Sequence, residues 1–594
     1  MTAYTAPVKD MQFVFSELAG LAEIARLPGY EDASDDVVKT ILEEAGKFSS
    51  EVLAPINRTG DEQGSSLVGN QVLVPDGFAG AYQLYVENGW PALGQSQEIG
   101  GQGFPSLINA AVAEMLNSAN LSFALCPLLN TGAIGAIQGY GSDQIRNTFL
   151  PPLVSGSWTG TMNLTEPQAG SDLAAIRCRA EPDGDHYLVT GQKIFITWGD
   201  HEMCENVVHL VLARLPDAPP GIKGISLFVV PKFLVTEDGS LGERNDVYAV
   251  SLEHKLGVRA CPTCVMSFGD HGGAVAYLVG EANRGLACMF AMMNHIRLYC
   301  GLQGVAISER SYQQAVEYAR NRVQGRAPGH QGRVAIIEHA DVRRMLMLMR
   351  AQTEAMRCIC YIASAALDFA EHGEDVAQRA SSQARLELLT PVVKAWCSEV
   401  SQEVTTLGIQ IHGGMGFVEE TGAAQHFRDA RITTIYEGTT GIQAADLVGR
   451  KVLRDGGKAM AVLLDEVDEF TASVATDHEQ LGHLARSVAQ GRQMLAEATG
   501  WILEHAESDP NIPGSVSVNF LMLTGTVLGG WQMTRAAVAA QKLLDAGDAD
   551  SSFYQSKIVV SRFYIEQVMP RAKAYLDAVL AGADNIMELP ADLL

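Results

Sequence analysis

The chain has 594 residues, of which 47% are hydrophobic, and a formal net charge of −26. A chain of this length is expected to form roughly three or four domains, each with its own core. The acidic balance argues against nucleic acid and anionic membrane surfaces as partners, since both demand clustered Lys and Arg, and an anionic substrate would need a local basic pocket.

Residues 1–10 lack the basic run and apolar core of a secretory signal. No uninterrupted apolar run reaches the length of about 18 residues that a membrane span needs. Residues 520–531 come nearest, but they contain Thr and Gly, so no integral membrane segment is expected. Residues 1–160 read as helical. Apolar residues recur at helical spacing over 37–52, with Ser34 placed as an N-cap and Asp35 and Asp36 as first-turn acids. Pro151-Pro152 is expected to end the helical pattern of 142–150, and residues 90–105, rich in glycine, read as a loop.

The pattern then changes. Asp183-Gly184-Asp185 is a turn signal, and residues 186–197 are β-branched and aromatic. Residues 207–214, 225–232 and 263–268 are further strand candidates. Helical periodicity returns over 297–322, 341–372 and 385–411, a pattern of long helices joined by short loops that fits an antiparallel bundle. Residues 459–580 are again largely helical, with Pro510-Asn511-Ile512-Pro513 as their main loop. Helices, then strands, then helices argue against a doubly wound sheet. No GxGxxG follows a strand, which argues against a nicotinamide site.

The ten cysteines lie mostly in apolar helical patterns, as reduced core thiols of a cytoplasmic protein would. Cys261-Pro262-Thr263-Cys264 has CxxC spacing, but with no second pair and no paired His a metal is not expected.

Some segments carry two readings each. Residues 165–172 form either an ordinary surface turn or a row of backbone N–H groups able to cradle a ring carbonyl or a pyrophosphate. Ile194-Phe195-Ile196-Thr197-Trp198 reads as a strand with core aromatics, or as a strand end whose Phe195 and Thr197 flank a planar cofactor. Residues 410–417 are a glycine C-cap or a place where Gly413 and Gly414 let a ligand approach the backbone. Arg297 is a salt-bridged helix residue or a cation aimed at a phosphate. Glu437 is a solvated acid, or a carboxylate that apolar surroundings raise toward the working pH of a general base.

Taken in order, several blocks resemble the flavoprotein acyl-CoA dehydrogenases over roughly residues 40–450. They are Leu164-Thr165-Glu166-Pro167 with Ala169-Gly170-Ser171-Asp172, Gly191-Gln192-Lys193-Ile194-Phe195-Ile196-Thr197, Lys255-Leu256-Gly257-Val258-Arg259, residues 280–286, Tyr318-Ala319 with Arg322, residues 410–417, and residues 428–443. The resemblance implies an α+β fold. Its parts are an N-terminal helical domain (1–160), a middle β-barrel-like domain (161–280), a helical bundle carrying the base (281–452) and an additional C-terminal helical domain (453–594). That last region, together with Met162-Asn163-Leu164-Thr165, resembles a large bacterial subgroup that includes fatty acyl-CoA and 3-(methylthio)propanoyl-CoA dehydrogenases.

The resemblance further implies FAD, a homodimer or dimer of dimers, and α,β-desaturation of an acyl-CoA thioester in fatty acid β-oxidation, with electrons passed to an electron-transfer flavoprotein. A straight-chain fatty acyl-CoA is the first expectation; a methylthio-substituted acyl-CoA and an oxygen-using acyl-CoA oxidase are the alternatives. Leu164, Thr165, Gly170, Ser171, Phe195 and Thr197 are expected on the flavin, with Ser171 also near the CoA arm. Arg322, Gln410, Gly413 and Gly414 are expected to reach the FAD of a neighbouring subunit, and Thr439 follows the base onto the cofactor. Asn294, Arg297 and Gly438 are expected on the acyl-CoA. Glu437 occupies the usual position of the base that removes the pro-R α-proton while a hydride leaves the β-carbon. Some family members carry that acid one residue before the equivalent of Arg297, but Ile296 stands there and cannot accept a proton. Phe195 replaces a common tryptophan, Trp198 an asparagine, Met162 an aromatic residue and Gly441 a glutamine.

Overall fold

The structure is a computed structural model that describes residues 4–477 and 479–594. The chain folds as two compact units. One comprises residues 44–104 and 115–299; the other comprises the chain up to Glu43, Pro105–Glu114 and Cys300–Leu594.

The first unit is built on an eight-stranded sheet. Its strand order is Val247–Leu252, Thr263–Phe268, His186–Thr197, Ala274–Val279, Ser226–Pro231, Asn206–Ala213 and Trp158–Asn163, with Arg179–Asp183 pairing off the path against His186–Thr197. All pairings are antiparallel except Trp158–Asn163 with Asn206–Ala213. His186–Thr197 curls the sheet: its first half pairs with Ala274–Val279 and its second half with Thr263–Phe268. Between those halves Gly191 sits at φ +136°, and a Cβ there would lie 2.4 Å from the Cys178 sulfur, so only glycine fits. Asn206–Ala213 and Ser226–Pro231 are buried throughout and largely apolar, the pattern of a sheet covered on both faces.

Helices flank the sheet in sequence. Asp35–Phe48 begins with the two acids expected, and the Ser34 carbonyl accepts its first hydrogen bond. Leu121–Tyr140 is capped by the Asn120 side chain and buried almost all round. The helix Asp143–Ser155 departs from expectation: it runs through Pro151 and Pro152 to Ser155 instead of ending before them. Leu153 and Val154 are buried, and their packing outweighs the backbone donors the two prolines remove. Leu121–Tyr140 and Ile512–Asp545 have the length and composition of membrane spans, but both are largely buried inside the fold.

The second unit is helical. Ala340–His372 and Val376–His412 lie side by side, joined to Gly285–Asn321, which enters this unit at Cys300. Of the C-terminal helices, Lys458–Asp477, Ile512–Asp545 and Ser551–Gln567 pack directly on that bundle, and Gly482–His505 and Arg571–Leu580 pack against Ile512–Asp545. Ile512–Asp545 approaches so closely that a Cβ on Gly525 would sit 2.2 Å from the Trp396 ring. Pro513 lies in its first turn, where its missing N–H costs nothing. A buried ionic cluster joins the same parts. Arg357 bonds Asp10 at 2.6 Å, Glu114 at 2.6 Å and Glu309 at 2.8 Å, while Lys557 bonds Glu354 at 2.9 Å and also reaches Asp10. Burial alone would raise the Asp10 carboxyl, but Lys557 and Arg357 outweigh it and hold it at about 2.

Asp368 is fully buried and accepts from Ser106 N at 2.6 Å, Leu107 N at 3.0 Å and the Tyr30 hydroxyl at 3.1 Å, closing the start of the helix Ser106–Ala119. Desolvation outweighs those donors and pushes its carboxyl up to about 7. The folded chain therefore holds this proton more tightly than the unfolded chain, and the stability it contributes is present at low pH and lost as pH rises toward 7. Asp368→Asn removes that titration. Relative to the native chain it should gain on the order of 2 kcal/mol between about pH 5 and pH 8, read from urea unfolding. A difference independent of pH would refute the assignment.

Candidate active site

Two loops of unusual backbone geometry carry most of the residues singled out in the sequence. The first follows the strand Trp158–Asn163. Glu166 and Ala169 exchange both backbone hydrogen bonds at 2.9 Å, forming a tight turn around Pro167 and Gln168. The Glu166 carboxylate then organises what surrounds it. Oε1 accepts from Lys193 Nζ at 2.8 Å and Cys178 N at 3.0 Å; Oε2 accepts from Arg177 N and Gln168 Nε2, each at 2.6 Å. Lys193 Nζ also donates to the Leu164 carbonyl at 3.0 Å, and Ile194 N donates to the Thr165 carbonyl at 2.9 Å. Neither charge reaches solvent. Burial alone would raise the Glu166 carboxyl, but Lys193 and the backbone donors outweigh it and hold it at about 2. Leu164 and Thr165 are thereby fastened to the strand His186–Thr197, while Gly170 and Ser171 remain exposed beyond the turn.

That strand ends in a bulge. Cys264 pairs with Ile196 and Met266 with Lys193, so Ile194 and Phe195 face one partner residue. Phe195 takes φ +61° and is 58% exposed, so the expectation of a core aromatic at this position is wrong. The left-handed backbone turns its ring away from the core that receives Ile196 and Trp198. Trp198 is the core residue of the pair; its indole N–H donates to the Ser122 carbonyl at 3.0 Å. Thr197 is half-buried at the strand end. Further along the chain, Arg297 is buried and donates to Asn294 Oδ1 at 3.4 Å, so these two act together one helical turn apart. Ile296 between them is buried.

The second loop belongs to the helical unit. Ile435 to Gly438 form a turn in which Glu437 adopts φ +57° and Gly438 φ +98°. Only Asn, Asp and Gly enter the left-handed region readily, so Glu437 is held there by its surroundings. Lys394, fully buried in the helix Val376–His412, donates to the Thr433 carbonyl at 2.8 Å and the Gly438 carbonyl at 2.6 Å. Gln443 Nε2 donates to the Glu437 carbonyl at 3.2 Å. A Cβ on Gly438 would lie 2.4 Å from that amide nitrogen, so a side chain there would push the Gln443 amide off the Glu437 carbonyl and strain the positive φ. The Tyr436 hydroxyl donates to Gln303, and Thr439 caps the helix Thr440–Asp446 through Ile442 N. The Glu437 side chain is half-buried.

Gln410, Gly413 and Gly414 lie exposed at the end of Val376–His412, with open space where either glycine would carry a Cβ. Gly413 terminates the helix at φ +59°, as the cap reading expects. Arg322 is exposed just past the helix Gly285–Asn321, and Tyr318 one turn earlier stacks on His412 at 4.4 Å, bringing the two helix ends together. Met415 and Phe417 are exposed apolar residues on the same loop. Cys261 and Cys264 are buried with their thiols pushed up to about 11 and about 12 by desolvation, and no cluster of metal-ligating side chains occurs among the described residues.

Sequence reading missed the residues that hold both loops: Glu166, Lys193, Lys394 and Gln443. The signal was available in part. Lys394 stands within Val392-Val393-Lys394-Ala395-Trp396, and a lysine inside an apolar helical stretch is buried only when it has partners.

Comparison with known proteins places these loops in context. Family models match nearly the whole chain: Acyl-CoA dehydrogenase, N-terminal domain, over residues 36–157; Acyl-CoA dehydrogenase, middle domain, over 161–271; Acyl-CoA dehydrogenase, C-terminal domain, over 283–453; and Acetyl-CoA dehydrogenase C-terminal like over 463–590. A 3-methylmercaptopropionyl-CoA dehydrogenase of Ruegeria pomeroyi is 46% identical over 98% of this chain and 99% of its own length. A butyryl-CoA dehydrogenase of Syntrophomonas wolfei is 32% identical over 100% of this chain and 99% of its own. The crystal structure of a Bacillus anthracis acyl-CoA dehydrogenase complexed with FAD superposes with a TM-score of 0.75 at 20% identity, covering 96% of this chain and 91% of that one.

Two substitutions test the loops. Lys394→Met leaves the Thr433 and Gly438 carbonyls without their donor. Stopped-flow reduction of bound flavin should slow by about 10²-fold while flavin content per chain stays constant; an unchanged rate would mean the turn stands without Lys394. Glu166→Gln leaves Lys193 buried without its carboxylate and should cost about 3–5 kcal/mol in urea unfolding, with loss of flavin on gel filtration. The double variant Glu166→Gln/Lys193→Met should recover part of that stability.

Proposed function

The chain belongs to the acyl-CoA dehydrogenase family, and we propose that Glu437 is the base with which it removes the α-proton of an acyl-CoA thioester. The family is FAD-dependent, and this chain is an oxidoreductase acting on an acyl-CoA. Its residues suit the cofactor. Phe195 presents an aromatic face outside the core, Gly170 and Ser171 stand exposed beyond a rigid turn, and Gly413 and Gly414 leave the backbone open to close approach. FAD supplies the acceptor for the hydride that leaves the β-carbon.

The observation that carries the assignment is the Glu437–Gly438 turn. The left-handed backbone of Glu437 is held by bonds to its own carbonyl and to those of Thr433 and Gly438, which fixes the point from which its carboxylate projects. The proton passes from the substrate α-carbon to the Glu437 carboxylate, and the Glu437 N–H donates to the thioester oxygen where enolate charge develops. Ile296 leaves no competing base at the alternative position. Asn294 and the buried Arg297 hold the acyl-CoA from their shared helix face, with Gly438 and Ser171 along the acyl and CoA portions. Leu164, Thr165, Thr197, Arg322, Gln410 and Thr439 complete the cofactor contacts. Two chains are needed if Arg322 and Gln410 serve a neighbour's flavin, so a homodimer or dimer of dimers is the working form.

For substrate we favour 3-methylmercaptopropionyl-CoA, supported by 46% identity over nearly the full length of a dehydrogenase of that name. A straight-chain acyl-CoA such as butyryl-CoA is the second reading, supported by full-length relatives at about a third identity. Electron-transfer flavoprotein is the proposed acceptor. Ten cysteines, all free and nine of them buried, fit a cytoplasmic location.

Anaerobic titration with 3-methylmercaptopropionyl-, butanoyl-, octanoyl- and palmitoyl-CoA, following the flavin band, should bleach the native protein with the first of these most effectively. Glu437→Gln should retain FAD and bind the same thioester, yet reduce the flavin at least about 10³-fold more slowly. Full activity in that variant removes Glu437 from the mechanism. Peroxide released at the turnover rate in air would identify an oxidase instead.

A further inference from the structure

The helical unit contains a small cavity far along the sequence from the residues discussed above. Its volume is about 20 Å³, and it lies where the C-terminal helices Lys458–Asp477 and Ile512–Asp545 meet the bundle helices Ala340–His372 and Val376–His412. That is room for one occupant of water or halide size. The walls are largely aliphatic, from residues such as Ile359, Leu389, Leu463 and Leu528, but four polar residues also line it: Arg385, Trp531, Gln532 and Arg535.

The charges there do not balance. Arg385 pairs with Glu466. Arg535 has only neutral hydrogen-bond partners, donating to Gln532 Oε1 at 2.7 Å and to the Leu18 carbonyl at 3.1 Å; Glu466, already paired with Arg385, attracts it only at longer range. Burial lowers its pKa. Trp531 is 6% exposed, its indole N–H is buried with no partner among the described residues, and the Arg535 guanidinium sits 5.9 Å from its ring centroid. Two guanidiniums that share the single Glu466 carboxylate, and a donor without an acceptor among the described residues, thus border one cavity. Each is unfavourable alone. A water molecule could accept from the indole but would leave the second guanidinium uncompensated.

We propose that this cavity binds a single small anion, of chloride size, that accepts from Trp531 Nε1 and neutralises Arg535, and so ties the C-terminal helices to the bundle. The occupant joins elements from both sides, because Trp531 and Arg535 come from the C-terminal region and Arg385 from the bundle. The site is independent of the dehydrogenase reading, since none of its residues belongs to the two loops.

The test uses the FAD-loaded full-length protein. Thermal unfolding is followed in sodium chloride and in sodium gluconate at equal ionic strength, with sodium acetate as a third arm. Chloride should raise Tm saturably above gluconate. Trp531→Phe keeps the ring and removes the donor, and it should raise the half-saturating chloride concentration roughly tenfold. Arg535→Gln should abolish the effect. A saturable rise in acetate but not chloride would overturn the proposal, because acetate is larger than the single-atom occupant the cavity admits. Equal Tm in all three salts, or a chloride response unchanged in Trp531→Phe, would overturn the proposal and leave a water in the cavity.

Discussion

Glu437 occupies a backbone conformation that an L side chain does not adopt unaided, and a buried lysine holds it there. Lys394 takes hold of the Thr433 and Gly438 carbonyls on either side of it. The other loop uses the same device. Lys193, also inaccessible to solvent, takes the Leu164 carbonyl, and its Glu166 partner gathers two backbone N–H groups and the Gln168 amide. An ammonium suits this task better than a guanidinium, because its three donors can be directed independently onto carbonyls that face different ways. Burial then strengthens each bond, and strands a costly charge if any is broken. The two loops are rigid because their fasteners cannot exchange with water.

Positive φ at Phe195 and Glu437 has a common consequence. Each side chain departs from the direction its neighbours take: Phe195 away from a core that receives Ile196 and Trp198, and Glu437 out of a turn whose Glu437 and Gly438 carbonyls are engaged. Strain of about 1–3 kcal/mol per residue persists only where the surrounding structure over-determines the conformation. Ladder bonds on both sides of the bulge supply that at Phe195, and Lys394 and Gln443 supply it at Glu437.

Much of the fold was legible in the sequence because it rests on local periodicity. Residues 186–197 form the strand expected, and the long helices of the bundle appear within a few residues of their expected ends, apart from earlier starts to Gly285–Asn321 and Val376–His412. The glycine loop at 410–417 and the turn at Glu437 were recognisable as special because glycine and an acid stood at the end of apolar runs. What sequence could not give depends on distant partners. Glu166 and Lys193 are 27 residues apart, Lys394 and Gly438 are 44, and Arg357 and Asp10 are 347, and no periodicity links such pairs. The prolines at 151–152 misled for the same reason, since their local cost is set against packing that only tertiary structure reveals.

The C-terminal helices extend this argument about buried charge. They could have been a separate module on a flexible linker, yet Lys557 reaches Asp10 and Glu354, and Arg357 completes the cluster with Glu114 and Glu309. Two cations and four carboxylates, drawn from the N-terminal helix, the bundle and the C-terminal region, are removed from water together. None of these segments could leave without exposing the others to an unpaired buried charge, which makes partial undocking as unfavourable as local unfolding. The glycines at 525, 529 and 530 show the apolar side of the same commitment: a side chain at Gly525 or Gly529 would drive the helix off Trp396 or Tyr564, and one at Gly530 would meet Met569. The C-terminal helices are therefore part of the folding unit that carries Glu437: Ile512–Asp545 packs both on Trp396, two residues from Lys394, and on the helix Thr440–Asp446 that follows the Glu437 turn.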